Sequence, residues 1–223
     1  MQTLAIVATK GGVGKTTLVA SLAIEAIHHF GRVALIDLDP QQSLARWHQF
    51  RVMDTGVANK PELIATGAKL GSALDRVRAQ AQPPDLVIID GPPGSMRLTE
   101  MAIERADLAL IPCKASPIDV EAVDVVRELC EQHGKPFAMV LTMVTPRRAS
   151  MTEGAREFLK DKGDMLEVEM TDRQSYAQAM MTGHAGPEKD KTAKAEIAAL
   201  WLAIEKRLAR TTKVAPSKKV AAR

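Results

Sequence analysis

Cysteine, aromatic residues and long apolar runs are all scarce in this sequence of 223 residues. Its two cysteines, Cys113 and Cys130, are too few for the disulfide framework that holds small secreted domains together. Since the chain also opens without the pattern of a signal peptide, we expect a protein of the reducing cytoplasm. No apolar stretch approaches the roughly 20 residues that cross a bilayer, so we expect no integral membrane association. The 46% of hydrophobic residues indicates a globular domain with a full core.

Charge is distributed unevenly along the chain. Residues 206–223 carry seven basic side chains and no acidic one, which leaves 23 basic and 27 acidic residues elsewhere. We therefore expect a mildly acidic domain over residues 1–209 and a basic tail over residues 210–223, which has little apolar mass and is expected to be disordered. A solvated chain end and contact with a nucleic-acid phosphate backbone explain such a tail equally well.

A glycine-rich stretch occupies residues 9–17, Thr-Lys-Gly-Gly-Val-Gly-Lys-Thr-Thr. It follows an apolar run at residues 4–8 and opens a segment with helical spacing, which is the context of a phosphate-binding loop. Glycines let the backbone wrap closely around phosphate oxygens, and the helix N-terminus adds positive potential there. The nucleotide contacts are predicted to come from Lys10, Gly11, Gly12, Val13, Gly14, Lys15, Thr16 and Thr17.

Two lysines and a threonine carry the chemistry expected of this loop. Lys15 is predicted to reach the β- and γ-phosphates, and the Thr16 hydroxyl to ligate Mg²⁺. The general pattern has glycine where this sequence has Thr9, and a second lysine, Lys10, follows. A turn that binds nothing is the weaker interpretation, because Gly-Lys-Thr-Thr after a strand is hard to explain by structure alone. The predicted cofactors are ATP or ADP with Mg²⁺.

The run from Lys10 to Thr17 resembles the deviant Walker A motif of the ParA/MinD family of ATPases. In that family the lysine that matches Lys10 crosses a dimer interface to the phosphates held by the other subunit. A triphosphate carries more charge than Lys15 and one Mg²⁺ neutralise, so a cation from a partner makes the dimer depend on nucleotide. The resemblance therefore implies an ATP-dependent homodimer, with Lys10 and Lys15 acting in catalysis.

Three carboxylates end two further apolar runs. Asp37 and Asp39 lie in Asp-Leu-Asp-Pro-Gln, and Asp90 follows Leu-Val-Ile-Ile in a Walker B arrangement, where the carboxylate holds Mg²⁺. The glycine turn after Asp90, residues 91–94, can act as a switch that responds to the γ-phosphate. The resemblance gives Asp39 the positioning of the attacking water and places Asp37 in the Mg²⁺ shell. Capping of the following helix remains the alternative for Asp37 and Asp39.

Six apolar strands alternate with helices, which predicts a single α/β domain with a doubly wound, mostly parallel sheet of the P-loop NTPase class. Ser116 is predicted to be an N-cap, and capping boxes are predicted to start at Ser150 and Thr171. Gly31 is expected to end the first helix near His29. Further expected segments are a loop at 52–67, a helix at 67–80, a strand at 137–144, a short sixth strand at 166–168, and helices at 150–162, 175–181 and 190–209.

The final predicted helix has two interpretations. Docking of its apolar stripe against the sheet is favoured, and a membrane-surface helix of the MinD kind is the alternative, since basic residues follow Trp201. The stripe consists of Ala193, Ile197, Leu200, Trp201, Ile204 and Leu208.

The phosphate loop starts at residue 9, so the chain looks most like the small plasmid-partition ATPases of ParA type, in which no DNA-reading domain precedes the loop. The resemblance implies an ATPase that hydrolyses slowly, binds DNA without sequence preference, associates with the nucleoid and is stimulated by a cargo-bound, ParB-like partner. A MinD-like membrane-associated positioning ATPase is the alternative. An iron–sulfur reductase lacks suitably spaced cysteines, and no second substrate pocket for a metabolic ligase is evident.

Several basic residues away from the nucleotide motifs are candidates for DNA contact. Solvated helix faces explain each of them individually as well or better, so both interpretations stay open. The candidates are Arg147, Arg148, Lys160, Arg173, Lys206, Arg207 and Arg210.

Overall fold

The computed structural model describes residues 1–55, 61–65 and 69–214. In these ranges the strands are β1 (Gln2–Ile6), β2 (Val33–Asp37), β3 (Glu62–Ile64), β4 (Leu86–Asp90), β5 (Leu108–Lys114), β6 (Phe137–Val144) and β7 (Met170–Thr171). The helices are α1 (Lys15–Ala26), α2 (Ser43–Thr55), α3 (Leu70–Arg78), α4 (Met96–Arg105), α5 (Pro117–Gln132), α6 (Ala149–Lys162), α7 (Gln174–Met181), α8 (Gly186–Lys189) and α9 (Lys191–Val214). A single 3₁₀ turn, Pro146–Arg148, precedes α6.

The strands form one parallel sheet in the order β3-β2-β4-β1-β5-β6-β7. Alternate residues of β1 and the turn after it enter different cores: Leu4 and Ile6 join one apolar cluster, and Ala5 and Val7 join another. The first cluster contains residues of α1 and α9, and the second contains residues of α4 and α5. A sheet buried by helices on both faces explains why its central strands are mostly apolar. The predicted doubly wound α/β class is confirmed.

The sheet order brings the sequence motifs together at one edge. β1 lies between β4 and β5, and β2 lies on the other side of β4. The parallel register pairs Ile6 with Asp90 and Asp37 with Asp90. The phosphate-binding loop after β1 and the carboxylates that end β2 and β4 therefore meet at the carboxyl edge, where open α/β sheets bind ligands.

Several short elements escaped the sequence prediction. The expectation of a loop over 52–67 was wrong in part, because residues 62–64 form β3, a half-buried strand at the sheet edge. Residues 56–60 and 66–68 lie outside the described ranges, and the helix expected from residue 67 begins at Leu70. The helices α4 and α8 were not predicted, since each is short and carries few apolar residues on its buried side.

Two predicted capping boxes were wrong. Ser150 lies inside α6, because the 3₁₀ turn starts the helical path earlier and no side chain caps the N-terminus of α6. Thr171 belongs to β7, which replaces the strand expected at 166–168, and its backbone N–H and its hydroxyl both bond to Glu196. In contrast, Ser116 is the N-cap of α5, and its Oγ accepts the backbone N–H of Asp119 at 3.3 Å.

The carboxyl ends of two long helices, α1 and α9, differ from expectation by less than two turns. Helix α1 ends at Ala26, and Gly31 does not take the left-handed conformation of a helix-ending glycine. Gly183 does take it, at φ 70°, just after α7. Helix α9 runs to Val214 instead of residue 209, so it includes the start of the predicted basic tail. The rest of that tail, residues 215–223, lies outside the described part of the chain.

The apolar stripe of α9 is part of the protein core. All six of its residues, Ala193 to Leu208, have no exposed surface. They pack in the same cluster as α1, and Trp201 meets Phe30 edge to face at 5.9 Å between ring centroids. The docked interpretation is therefore the one the structure supports, and the stripe is not available to a membrane surface. Among the described residues, no helix combines the length and apolar character that crossing a bilayer requires.

Candidate nucleotide-binding site

The glycine-rich loop between β1 and α1 depends on glycine at two positions. Gly12 and Gly14 have φ values of 72° and 82°, in the left-handed region that glycine adopts at little cost. The loop is held from two sides. The Thr142 hydroxyl donates a hydrogen bond to the Val13 carbonyl at 2.8 Å, and the Thr9 hydroxyl donates one to the Ala122 carbonyl at 3.3 Å. These bonds fix the loop before any ligand is bound.

Lys15 lies where the loop closes on itself. Its side chain is 7% exposed, and its Nζ donates a hydrogen bond to the Lys10 carbonyl at 3.0 Å. Burial lowers the pKa of Lys15, while the negative charges of Asp90 and Asp39 act in the opposite direction. The ammonium is thus a partly desolvated cation at the centre of the loop, which is the environment in which a phosphate oxygen is bound strongly.

Asp90 is fully buried at the end of β4. Its Oδ2 accepts the Thr16 hydroxyl at 2.7 Å, whereas its Oδ1 has no hydrogen-bond donor among the described residues. Burial raises the pKa of Asp90 to about 7, and the nearby charge of Asp37 adds to this effect. A buried carboxylate oxygen without a partner, beside a hydroxyl, fits a hard divalent cation such as Mg²⁺. The structure brings these two predicted metal ligands, Thr16 and Asp90, into direct contact.

Asp37 and Asp39 have distinct roles in the turn after β2. Asp37 Oδ1 accepts the Asp39 backbone N–H at 2.9 Å, and its Oδ2 accepts the Ala45 backbone N–H at 3.0 Å in the first turn of α2. Asp39 Oδ1 accepts the Gln41 backbone N–H at 2.9 Å. The bond from Ala45 is that of a carboxylate that caps α2, the alternative that the sequence left open for Asp37. The bond to Asp39 closes a turn before α2 begins. Burial raises the pKa of Asp37, whose side chain lies beside Asp90 in the register of the sheet.

Lys10 differs from Lys15 in its surroundings. Its backbone carbonyl faces the loop and accepts the Lys15 ammonium, but the residue itself is exposed to solvent. An exposed lysine at the rim of a phosphate loop can reach a group that approaches from outside the chain.

The glycine turn after β4 is joined directly to the phosphate-binding loop. The Gly91 N–H donates to the Ile6 carbonyl at 2.9 Å, and a Cβ at position 91 would lie only 2.8 Å from that oxygen. The Gly94 N–H donates to the Thr9 carbonyl at 3.0 Å. These two hydrogen bonds join the loop to the turn that precedes α4, an arrangement that a nucleotide switch requires.

Comparison with known proteins agrees with this geometry. The family described as the CobQ/CobB/MinD/ParA nucleotide binding domain matches residues 4–185. The chain belongs to this ParA/MinD family. The resemblance seen in the sequence is confirmed, and the match extends over residues 4–185 instead of one motif.

Individual relatives of this ParA/MinD domain are distant but cover most of it. Maintenance of carboxysome distribution protein A of Halothiobacillus neapolitanus is 29% identical over 188 residues, 81% of this chain and 84% of that protein. Protein ParA of Rhizobium radiobacter is 26% identical over 193 residues, 82% of this chain and 84% of that protein. The crystal structure of a Borrelia burgdorferi plasmid partition protein bound to AMPPNP superposes with a TM-score of 0.73 at 18% identity, covering 92% and 99% of the two chains, and shares the fold.

Three residues near the loop of this ParA/MinD domain were missed by the sequence analysis. Thr142 anchors Val13, as described above. Met143, the next residue, has φ 54° and its Cε would lie 3.8 Å from a Cβ at Gly14. Lys114 ends β5 and its Nζ lies 3.8 Å from the position of a Cβ at Gly12. All three lie in β5 or β6. No sequence motif links these residues to the phosphate-binding loop, which lies more than 95 residues earlier in the chain.

The candidate DNA-contacting residues do not form one surface. Arg147 and Arg148 follow the carboxyl end of β6, whereas Arg207 and Arg210 line a cavity of about 610 Å³ beside the first residues of β5 and β6, at the opposite edge of the sheet. Arg207 is paired with Asp164, and Arg173 lies 3.6 Å from Glu196. The exposed candidates are Arg147, Arg148, Lys160, Lys206 and Arg210.

Proposed function

We propose that this chain is an ATP-dependent positioning ATPase of ParA type. It binds ATP, closes as a homodimer, binds DNA without sequence preference and hydrolyses ATP to ADP and phosphate to segregate a plasmid, chromosome or protein cargo. The observation that supports this most is the contact between Thr16 and the buried, half-unpartnered Asp90 beside a loop that carries both Lys15 and the exposed Lys10.

The first step is binding of the triphosphate in the loop. The Lys15 ammonium exchanges the neutral Lys10 carbonyl for charged phosphate oxygens, which are stronger acceptors. The backbone N–H groups of residues 11–17 and the N-terminus of α1 add to this attraction. Thr16 and Asp90 would hold Mg²⁺, which supplies neutralisation of phosphate charge when it is bound. Asp37, at the end of β2, would support the coordination shell of this Mg²⁺.

The second step is closure of two chains. The exposed Lys10 of each chain reaches the phosphates of the other, so a dimer is stable only while both sites hold triphosphate. Asp39, at the same edge of the sheet, positions the water that attacks the γ-phosphate. Loss of the γ-phosphate weakens the electrostatic attraction between Lys10 and the phosphates of the other chain, and the dimer dissociates.

DNA binding and the activating partner are proposed from the family relationship. Of the relatives named above, the maintenance of carboxysome distribution protein A has a name that describes the positioning of a cargo. Exposed basic residues at two edges of the sheet supply charge for phosphate contacts. A cargo-bound, ParB-like protein would stimulate the otherwise slow hydrolysis.

The test measures DNA retention by filter binding with ADP, with ATP and with AMPPNP, each with Mg²⁺ and at several salt concentrations. The proposal expects retention only in the ATP-type states and a steep loss of affinity as salt rises, because phosphate contacts release counterions. Equal retention with ADP, or no retention in any state, would contradict DNA positioning. ATP-dependent binding to anionic liposomes in place of DNA would favour the membrane-associated alternative.

A further inference from the structure

A third lysine lies at the phosphate-binding loop in addition to Lys10 and Lys15. Lys114 is the last residue of β5, the strand on the other side of β1 from Asp90. Its Nζ lies 3.8 Å from where a Cβ on Gly12 would be, so the ammonium lies over the backbone of the loop. The side chain is half-buried, and no carboxylate of the described residues forms an ion pair with it.

The backbone of Lys114 is fixed relative to the loop. Its carbonyl accepts the Ser116 N–H at 2.8 Å, in the turn that starts α5. In the sheet it is the register partner of Thr142, whose hydroxyl holds the Val13 carbonyl. The strand that carries Lys114 and the strand that anchors the loop are therefore paired at this point. The Cα of Lys114 is therefore held beside the loop, so only its side chain has to be ordered when a ligand binds.

The charge balance of the site gives this lysine a role. Asp37, Asp39 and Asp90 place negative charge on the β2 and β4 side of the loop, and a triphosphate brings more. Within one chain, Lys15 lies near those carboxylates. Lys10 is exposed and is proposed to contact the phosphates held by the neighbouring chain. Lys114 adds a positive charge on the β5 side, close to the loop backbone that is proposed to wrap the phosphates.

We propose that Lys114 is a further phosphate-binding residue, which contacts the polyphosphate of the nucleotide held by its own chain. The inference rests on the proposed ATP-binding function and adds a residue to it. Because the contact is made to phosphate, its effect must grow with the number of phosphates on the ligand. A residue that only shaped the loop would change the affinity for every nucleotide alike.

The experiment compares Lys114→Gln with wild type by titration calorimetry, using AMPPNP, ADP and AMP with Mg²⁺ and the full chain. Loss of one charge-assisted hydrogen bond is expected to raise the Kd for AMPPNP by about tenfold, that for ADP by less, and that for AMP hardly at all. Lys114→Arg, which keeps the positive charge, should recover most of the affinity. Lys194→Gln removes an exposed lysine from α9 and is the matched control.

Two results would overturn the inference while leaving the proposed function intact. One is a wild-type Kd for AMPPNP in Lys114→Gln, and the other is an equal loss of affinity for all three nucleotides. Lys114→Met, which keeps the aliphatic part of the side chain, serves as a second neutral variant should Lys114→Gln fold poorly. Failure of the wild-type chain to bind AMPPNP would instead contradict the proposed function itself.

Discussion

Replacing Asp90 by asparagine should stabilise the protein without nucleotide while it destroys the metal site. Asp90 is fully buried, and burial raises its pKa from 3.8 to about 7. The folded state therefore binds a proton that the unfolded state releases between these pH values. Stability from this residue is present at low pH and is lost as the pH rises through this range. The difference between the two pKa values corresponds to a loss of about 4 kcal/mol at pH 8.

Asparagine keeps the shape of Asp90 and never ionises, so Asp90→Asn avoids this loss. Relaxation of the site and entry of water reduce the gain, and we expect roughly 2 kcal/mol relative to wild type at pH 8, with little difference at pH 4. Part of the wild-type pH dependence should persist in the variant, because burial also raises the pKa of Asp37.

The assay is urea unfolding of both proteins from pH 4 to pH 8, without nucleotide or Mg²⁺. Asp161→Asn, at an exposed position at the end of α6, is the matched control and should leave the pH dependence of wild type unchanged. Addition of Mg²⁺ and AMPPNP should stabilise the wild type more than Asp90→Asn, which keeps the phosphate loop and lacks the metal ligand. If the unfolding free energies of wild type and Asp90→Asn change in parallel with pH, the pKa of Asp90 is not raised by burial in the folded protein.

Three further variants test how the loop and core are held. Thr142→Val removes the hydrogen bond to the Val13 carbonyl and should cost about 1–3 kcal/mol in urea unfolding and weaken AMPPNP binding in calorimetry. An unchanged Kd would show that this anchor does not preorganise the loop. Gly12→Ala adds a side chain at φ 72° and should cost about 1–2 kcal/mol by the same unfolding assay, whereas no loss would mean that the loop relaxes. Trp201→Ala should cost about 3–5 kcal/mol, and a loss below 1 kcal/mol would contradict the docking of α9.

The sequence was sufficient for the parts of the fold that rest on continuous apolar runs and on glycine. The runs 4–8, 33–36 and 86–89, in and after β1, β2 and β4, are apolar because both faces of the sheet are buried, and each leads into a motif that the site uses. The spacing of the glycines predicted a glycine-rich loop after β1, and in that loop Gly12 and Gly14 adopt the left-handed conformation. The contact between Thr16 and Asp90 follows from these two facts, since parallel strands bring their carboxyl ends together.

What could not be predicted depends on tertiary contacts. β3 has three residues and becomes a strand only because β2 offers a free edge. Thr171 has the spacing of a capping residue, yet Glu196 of α9 binds its backbone N–H and its hydroxyl and holds it in β7. Lys114 and Thr142 have no motif at all, and their relation to Gly12 and Val13 appears only once β5 lies beside β1 and β6 lies beside β5.

Sedimentation velocity with wild type and Lys10→Gln tests most directly whether bound triphosphate joins two chains. With Mg²⁺ and AMPPNP the wild type should sediment as a dimer, and with ADP as a monomer, while Lys10→Gln should bind AMPPNP and remain monomeric. A dimer of Lys10→Gln in AMPPNP, or a wild type that stays monomeric in every nucleotide state, would contradict the account.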